Sequence, residues 1–185
     1  MIRYLTKWLS GLALCLMYSA ALYGGTKEQS EDERLLKAAY IYNFAKFTRW
    51  PESVFKHRDS PLHLCTIGQN SLSTDLQHLE GKKIKGHMLT VTAIKKAREA
   101  KDCQALYIAT NNSLSYRHIL ATIKNWPILT ISEASYFARN GGVIQFYRKK
   151  GKTHLIINLN AAHKARLEIS SRLLILAEII GGKNS

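Results

Sequence analysis

From Pro61 to Asn158 short apolar runs alternate with segments of helical spacing, and this alternation limits the possible folds more than any other feature of the chain. Residues 62–67 read as a strand ending at Gly68, and 72–79 as a short helix ending at Gly81. Residues 88–94 and 103–109 read as strands separated by a basic loop; 114–124 read as a helix behind the Asn111-Asn112-Ser113 cap region, and 127–131 as a short buried strand. Ser132 and Glu133 open a small helix to Arg139 that Asn140-Gly141-Gly142 stops. Residues 143–147 and 153–158 flank the basic turn Arg148-Lys149-Lys150-Gly151-Lys152 as a hairpin. Strands that alternate with helices imply βα units around a mainly parallel sheet, and the hairpin adds an antiparallel pair. The expected fold is a single three-layer α/β domain with a mainly parallel central sheet, a C-terminal β-hairpin, and long N- and C-terminal helices.

Both terminal helices are read from periodicity. Residues 33–49 form a helical pattern preceded by Ser30 and Asp32, with acids in the first turn and Lys46 and Arg49 in the last, before Pro51. Leu36, Tyr40, Phe44 and Phe47 fall on one stripe that should be buried. Core packing is the main reading of these aromatics; a ligand cage including Tyr40, Phe44 and Trp50 is the lesser one. Asn43 borders the stripe and, if buried, needs hydrogen-bond partners. At the other end, residues 165–180 read as a helix closed by Gly181-Gly182, with Ile169, Leu173, Leu176 and Ile180 on one face and a Glu168–Arg172 pair on another. Ile175 and Ile179 lie on that charged side, where they are covered by another helix or form a partner surface.

The first residues bear on the compartment. Met1, Arg3 and Lys7 precede an apolar run from Leu9 to Tyr23, broken only by Ser10, Gly11 and Ser19. This is the layout of a secretory signal peptide over residues 1–21, with cleavage near Ala21 to Gly25 and a domain from 30 to 182. Its apolar run is short for a membrane anchor. The leader carries Arg3, Lys7 and no acid, so 25 basic against 13 acidic residues remain of the chain's 27 and 13. Such a balance favours an acidic protein or membrane-near partner. An exported chain meets no cytoplasmic nucleic acid, and base-stacking aromatics do not interleave with its basic loops, so no nucleic-acid partner is expected. With Cys15 in the leader, Cys65 and Cys103 remain in an oxidising compartment and should pair, a free or catalytic thiol being the lesser alternative. Closing that 38-residue loop stabilises by about 4 kcal/mol at the upper end.

The chemical motifs are sparse. None of the seven histidines stands four residues from another, and no His-Glu-x-x-His or Cys-x-x-Cys accompanies them, so no metal or cofactor is expected. Ser170 and Ser171 lie outside any Gly-x-Ser-x-Gly elbow, and Ser170 reads as a small residue for close helix packing. Gly81-Lys82-Lys83-Ile84-Lys85-Gly86 has the wrong spacing for a phosphate loop. The reading is a binding protein and not an enzyme.

The segment from Lys37 to Pro51, KAAYIYNFAKFTRWP, closely resembles the opening helix of the YfiR family of periplasmic proteins. The likeness continues through Cys65, Gly81-Lys82, Cys103, Pro127-Ile128-Leu129-Thr130, Phe137-Ala138 with Gly141-Gly142, and Asn158 with Ala161-Ala162. It ends in Leu167, Ile169, Ser170-Ser171, Leu173-Leu174 and Leu176-Ala177, so it spans nearly the whole mature chain in order. The resemblance implies a periplasmic repressor that binds the periplasmic sensor region of a membrane diguanylate cyclase of the YfiN type, lowering cyclic di-GMP and biofilm formation. It also implies release by an outer-membrane lipoprotein of the YfiB type or by reduction; a homodimer is left open. The family disulfide matches Cys65 and Cys103, but residues 143–158 lack the second one that some members carry, so any redox control rests on Cys65–Cys103 alone. The competing functional class is a small-molecule binding module serving a receptor or transporter, using Tyr40, Phe44 and Trp50.

Overall fold

The computed structural model describes residues 25–182, with side chains described from Glu31 onward. The expected signal peptide and Cys15 lie outside the described residues.

Helix α1 (Gly25–Phe47) opens the domain and runs directly into the two-residue strand β1 (Thr48–Arg49). It begins before the expected residue 33 and stops short of Arg49, because the backbone at Thr48–Arg49 pairs antiparallel with β9 (Glu168–Ile169). The core strands follow in chain order: β2 (Leu62–Gly68), β3 (Lys83–Ile84), β4 (His87–Ile94), β5 (Ala105–Ala109), β6 (Leu129–Ser132), β7 (Ile144–Lys149), β8 (Lys152–Asn158) and β10 (Glu178–Ile180). They form one sheet in the order β10-β8-β7-β6-β5-β2-β4-β3. β4, β2, β5, β6 and β7 are parallel, β7 and β8 form the antiparallel hairpin, and β10 lies parallel to β8 at the edge. The two-residue hairpin turn uses Lys150 at φ 51 and Gly151 at φ 75, the left-handed pair that matches strand twist.

Alternate residues of these strands feed two cores. Leu64, Tyr107, Leu129 and Ile131 face Ala38, Ile41, Phe44 and Ala45 of α1 and the residues of α2 (Ser71–Asp75). Cys65, Ile67, Leu106 and Ile108 face Tyr116, Ile119 and Ile123 from α3 (Ser113–Thr122) and the residue that follows it. Both faces of the sheet are therefore covered, as a parallel sheet requires. The three layers and mixed α/β class agree with the sequence reading.

Three finer expectations are corrected. First, the buried stripe of α1 is Ala38, Ile41, Phe44 and Ala45, with Leu36 exposed and Tyr40 and Phe47 half-buried. Alanines at 38 and 45 let the helix approach the sheet, and Lys37 is turned inward by carboxylates, which rotates the contact face away from Leu36. Second, in the region expected to be helical from Ser132 to Arg139, Ser132 ends β6 and residues 135–139 form turns, with Tyr136 at φ 61. Third, residues 165–180 are not one long helix. Asn158 caps the short α4 (Leu159–Lys164) through Ala161 N–H, and the chain reverses at Arg166 with φ 56. After β9, Ser170 caps α5 (Ser171–Leu174) by accepting from Arg172 N–H, so its role is capping and not helix contact. Glu168 pairs with Arg49 at 3.0 Å and not with Arg172, whose guanidinium lies over Phe47. Of the expected apolar face, Leu173 is buried but Leu176 is exposed.

Candidate functional site

The six expected contact residues fall into two groups. Phe44 is fully buried, its ring 5.7 Å from that of Phe146, and Tyr40 stacks on Phe44 at 6.0 Å. Trp50 is also buried, and its Nε1–H donates to the carbonyl of Gln104 at 2.9 Å, which satisfies the polar end of the indole. Phe44 and Trp50 thus serve the core, while Tyr40, which packs against it, and Asn43 are half-buried.

Ile175 and Ile179 lie elsewhere, at the C-terminal edge. Ile175 is 81% exposed, and Leu176 and Ile179 are exposed beside it in the chain. The segment is held by Leu173, which is buried, and by Leu174 and Ala177, which pack against the core. Two tight turns, Leu176 N–H to Leu173 O and Ala177 N–H to Leu174 O, then lead into β10. β10 pairs on one side with β8 and forms the sheet edge on the other. An apolar group next to a strand edge is a feature that globular domains usually mask. The sequence reading identified Ile175 and Ile179 but missed Leu176, because a helical wheel put it on the buried face.

A second cluster was invisible in the sequence. Lys37 of α1 bridges Glu33 and Glu133, and Glu133 accepts from the hydroxyl of Tyr107 at 2.9 Å. Asn70 Nδ2 donates to the same hydroxyl, and Glu33 also meets Thr153 and Arg148. The hydrogen bond from Lys37 is the main cause that holds the Glu33 carboxyl below its ordinary range. Burial works to lower the Lys37 ammonium, but hydrogen bonds to Glu133 and Glu33 outweigh it and raise its pKa. Burial, reinforced by the Glu133 charge, pushes the Tyr107 phenol far up. Glu33 and Lys37 therefore stay charged and Tyr107 stays protonated through neutral pH, so these groups act as a lock between α1 and the carboxyl ends of β2, β5 and β6. The partners are up to 120 positions apart, so no local motif could announce them.

Cys65 on β2 and Cys103 just before β5 form a disulfide, with Cα atoms 5.9 Å apart and both residues buried in the second core. Among the described residues no group of three or more His, Cys, Asp or Glu side chains stands together in a way that could hold a metal ion. His63 instead bonds Thr90, and His87 bonds the carbonyl of Ser60 while stacking on Phe55. Among the described residues no helix is long and apolar enough to cross a membrane.

A family model described as YfiR/HmsC-like (DUF4154) matches residues 34–178. No curated protein sequence matches the chain. Among solved structures, a conserved domain protein from Vibrio cholerae O1 biovar El Tor is similar, with 13% identity, a TM-score of 0.47, and coverage of 63% of this chain and 54% of that one. The ABC domain in complex with L-Trp from Streptococcus pneumonia is similar at 12% identity and a TM-score of 0.44, over 64% of this chain and 55% of that one. The chain thus spans about half the length of each of these two.

Proposed function

The chain belongs to the YfiR/HmsC-like family, and from this premise we propose that it is a periplasmic regulatory protein without catalytic activity that binds the periplasmic sensor region of a membrane signalling protein, represses a diguanylate cyclase of the YfiN type and so lowers cyclic di-GMP. The family match across residues 34–178 carries this reading. Export is by the leader at residues 1–21, cleaved near Ala21 to Gly25, which delivers the domain at 30–182 to the periplasm. The exposed Ile175, Leu176 and Ile179 beside the edge strand supply the contact, with Tyr40 and Asn43 on the flank of α1 as further candidates.

Repression requires differential affinity: the domain binds the inactive cyclase more tightly than the active one, and that difference alone shifts the population. A YfiB-like lipoprotein would release it by competing for the same surface. The test is a pulldown from solubilised membranes with the mature protein, combined with cyclic di-GMP measurement after gene deletion. Recovery of a membrane cyclase and a rise in cyclic di-GMP support the reading. Recovery of no sensor cyclase or histidine kinase, with cyclic di-GMP unchanged, overturns it.

A further inference from the structure

A cleft of about 690 Å³ opens between the C-terminal half of α3, the turn at residues 139–141 and α4. Neither the aromatic residues of α1 nor the two cysteines are in its lining. Four cations line it: Arg117 on α3, Lys124 just beyond that helix, Arg139 in the turn and Lys164 at the end of α4. No carboxylate is among its lining residues, and among the described residues no salt bridge reaches any of the four. Many surface cations of this basic chain are without a salt bridge among the described residues, but these four converge on one concave surface that has no carboxylate in its lining.

One of the cations is held in place from the core. Arg117 Nη2 donates to Asn140 Oδ1 at 2.7 Å, and Asn140 Nδ2 donates to the hydroxyl of Tyr116, also at 2.7 Å. The Tyr116 hydroxyl in turn donates to the carbonyl of Ser135 at 3.1 Å, and the Tyr116 ring is buried against Phe137. A neutral amide thus orients the guanidinium without cancelling its charge, and one donor of five is committed. The floor is apolar: Ile123, Ile128 and Val143 are buried there, and Trp126 is half-buried on the wall. Asn158 Nδ2 donates to the carbonyl of Ala138 and its Oδ1 accepts from Ala161 N–H, while Asn160 Oδ1 accepts from Gly182 N–H, so charge recognition falls to the cations.

We propose that this cleft binds a small organic anion, a molecule with one or two acidic groups on an apolar body. Charged rim and apolar floor divide the recognition: cations converging on a concave, low-dielectric wall concentrate an anion, and the floor takes the body that water would otherwise surround. The site is independent of the identity of the membrane partner. A failure of the pulldown leaves it standing, and a failure here leaves the regulatory reading standing.

The probe is 8-anilinonaphthalene-1-sulfonate, a fluorescent aromatic anion, titrated into the mature protein, with N-phenyl-1-naphthylamine as the uncharged control. The sulfonate should bind saturably and roughly tenfold more tightly than the neutral control, and should weaken severalfold when salt rises to about 0.5 M. Arg139→Glu with Lys164→Glu should weaken it roughly tenfold, while Lys149→Glu with Lys152→Glu, the same charge change on the β7–β8 hairpin outside the cleft's lining, should leave it within about twofold. Ile175→Asp, at a residue outside the cleft's lining, should also leave it unchanged, which separates the cleft from the exposed apolar edge. Equal binding of the neutral control with no salt dependence overturns the proposal, and these two readouts need no variant. Loss of binding in Ile175→Asp, or equal loss in both charge-reversal variants, overturns it as well.

Discussion

Lys37 and Glu133 stand 96 positions apart in the chain and meet in a salt bridge that fastens α1 to the segment leaving β6. Lys37 also holds Glu33 one turn earlier on its own helix, so one half-buried ammonium serves two carboxylates. Replacing it with Met keeps the stem but leaves Glu33 and Glu133 without their cation. Lys37→Met should cost about 2 to 3 kcal/mol, seen as a melting temperature lower by roughly 5 to 10 °C.

The same pair sets a pH dependence. Glu33 has a folded pKa below its ordinary 4.5, so its contribution is present above that value and is lost as pH falls through the lower folded value. Lys37 has a folded pKa above its ordinary 10.5, so its contribution is complete below 10.5 and is lost as pH rises through the higher folded value. Thermal stability should therefore be flat from this source between those limits and fall on both sides. Melting curves of wild type and Lys37→Met across pH check this, since the variant should lose much of both slopes.

Reducing Cys65–Cys103 should lower the melting temperature, because the open chain regains the entropy of a 38-residue loop, an effect of up to about 4 kcal/mol. Both cysteines are buried, so reductant should act through opening of the second core and not at the surface. Melting with and without strong reductant, with thiols counted, decides it; an unchanged transition with both thiols free would be the contrary result.

Gly142 lies against the Phe137 ring, and a Cβ at this position would stand inside van der Waals distance of the ring carbons. Phe137 is fully buried and cannot move aside freely. Gly142→Ala should destabilise by about 1 to 3 kcal/mol through overpacking, whereas Gly141→Ala, with open space around its Cβ, is strained only by its φ of 100°. Denaturant midpoints of the two variants separate the effects.

Ile175→Asp with Ile179→Asp should leave stability within about 0.5 kcal/mol per site, since exposed side chains hold little of the core. The same variant should fail to recover the membrane partner and should raise cyclic di-GMP as deletion does. A variant that is folded by circular dichroism and still represses would remove this surface from the mechanism.

Apolar runs bounded by glycine and turn residues were legible as strands because a parallel strand buried on both faces needs a continuous apolar stretch. The positions of β2 and β5 follow from that rule, whereas β4 shows alternating burial and the β7–β8 hairpin is marked by its Lys-Gly turn. The C-terminal segment misled for a related reason. Ile169, Leu173, Leu176 and Ile180 share a helical spacing, yet they belong to a strand, a helix, a turn and another strand. Periodicity over 16 residues cannot distinguish one long helix from several short pieces when Ser170 caps a new helix inside the pattern.

The sequence by itself determined the α/β class, the cysteine pair and the absence of familiar catalytic motifs, since each depends on residue type and local spacing. Tertiary structure alone decided which face of α1 is buried, which aromatics belong to the core, and that four cations from separate segments surround one cleft. Those features depend on distances between residues far apart in the chain. Such distances are fixed when the sheet closes and its two faces are filled, and no window of sequence contains them.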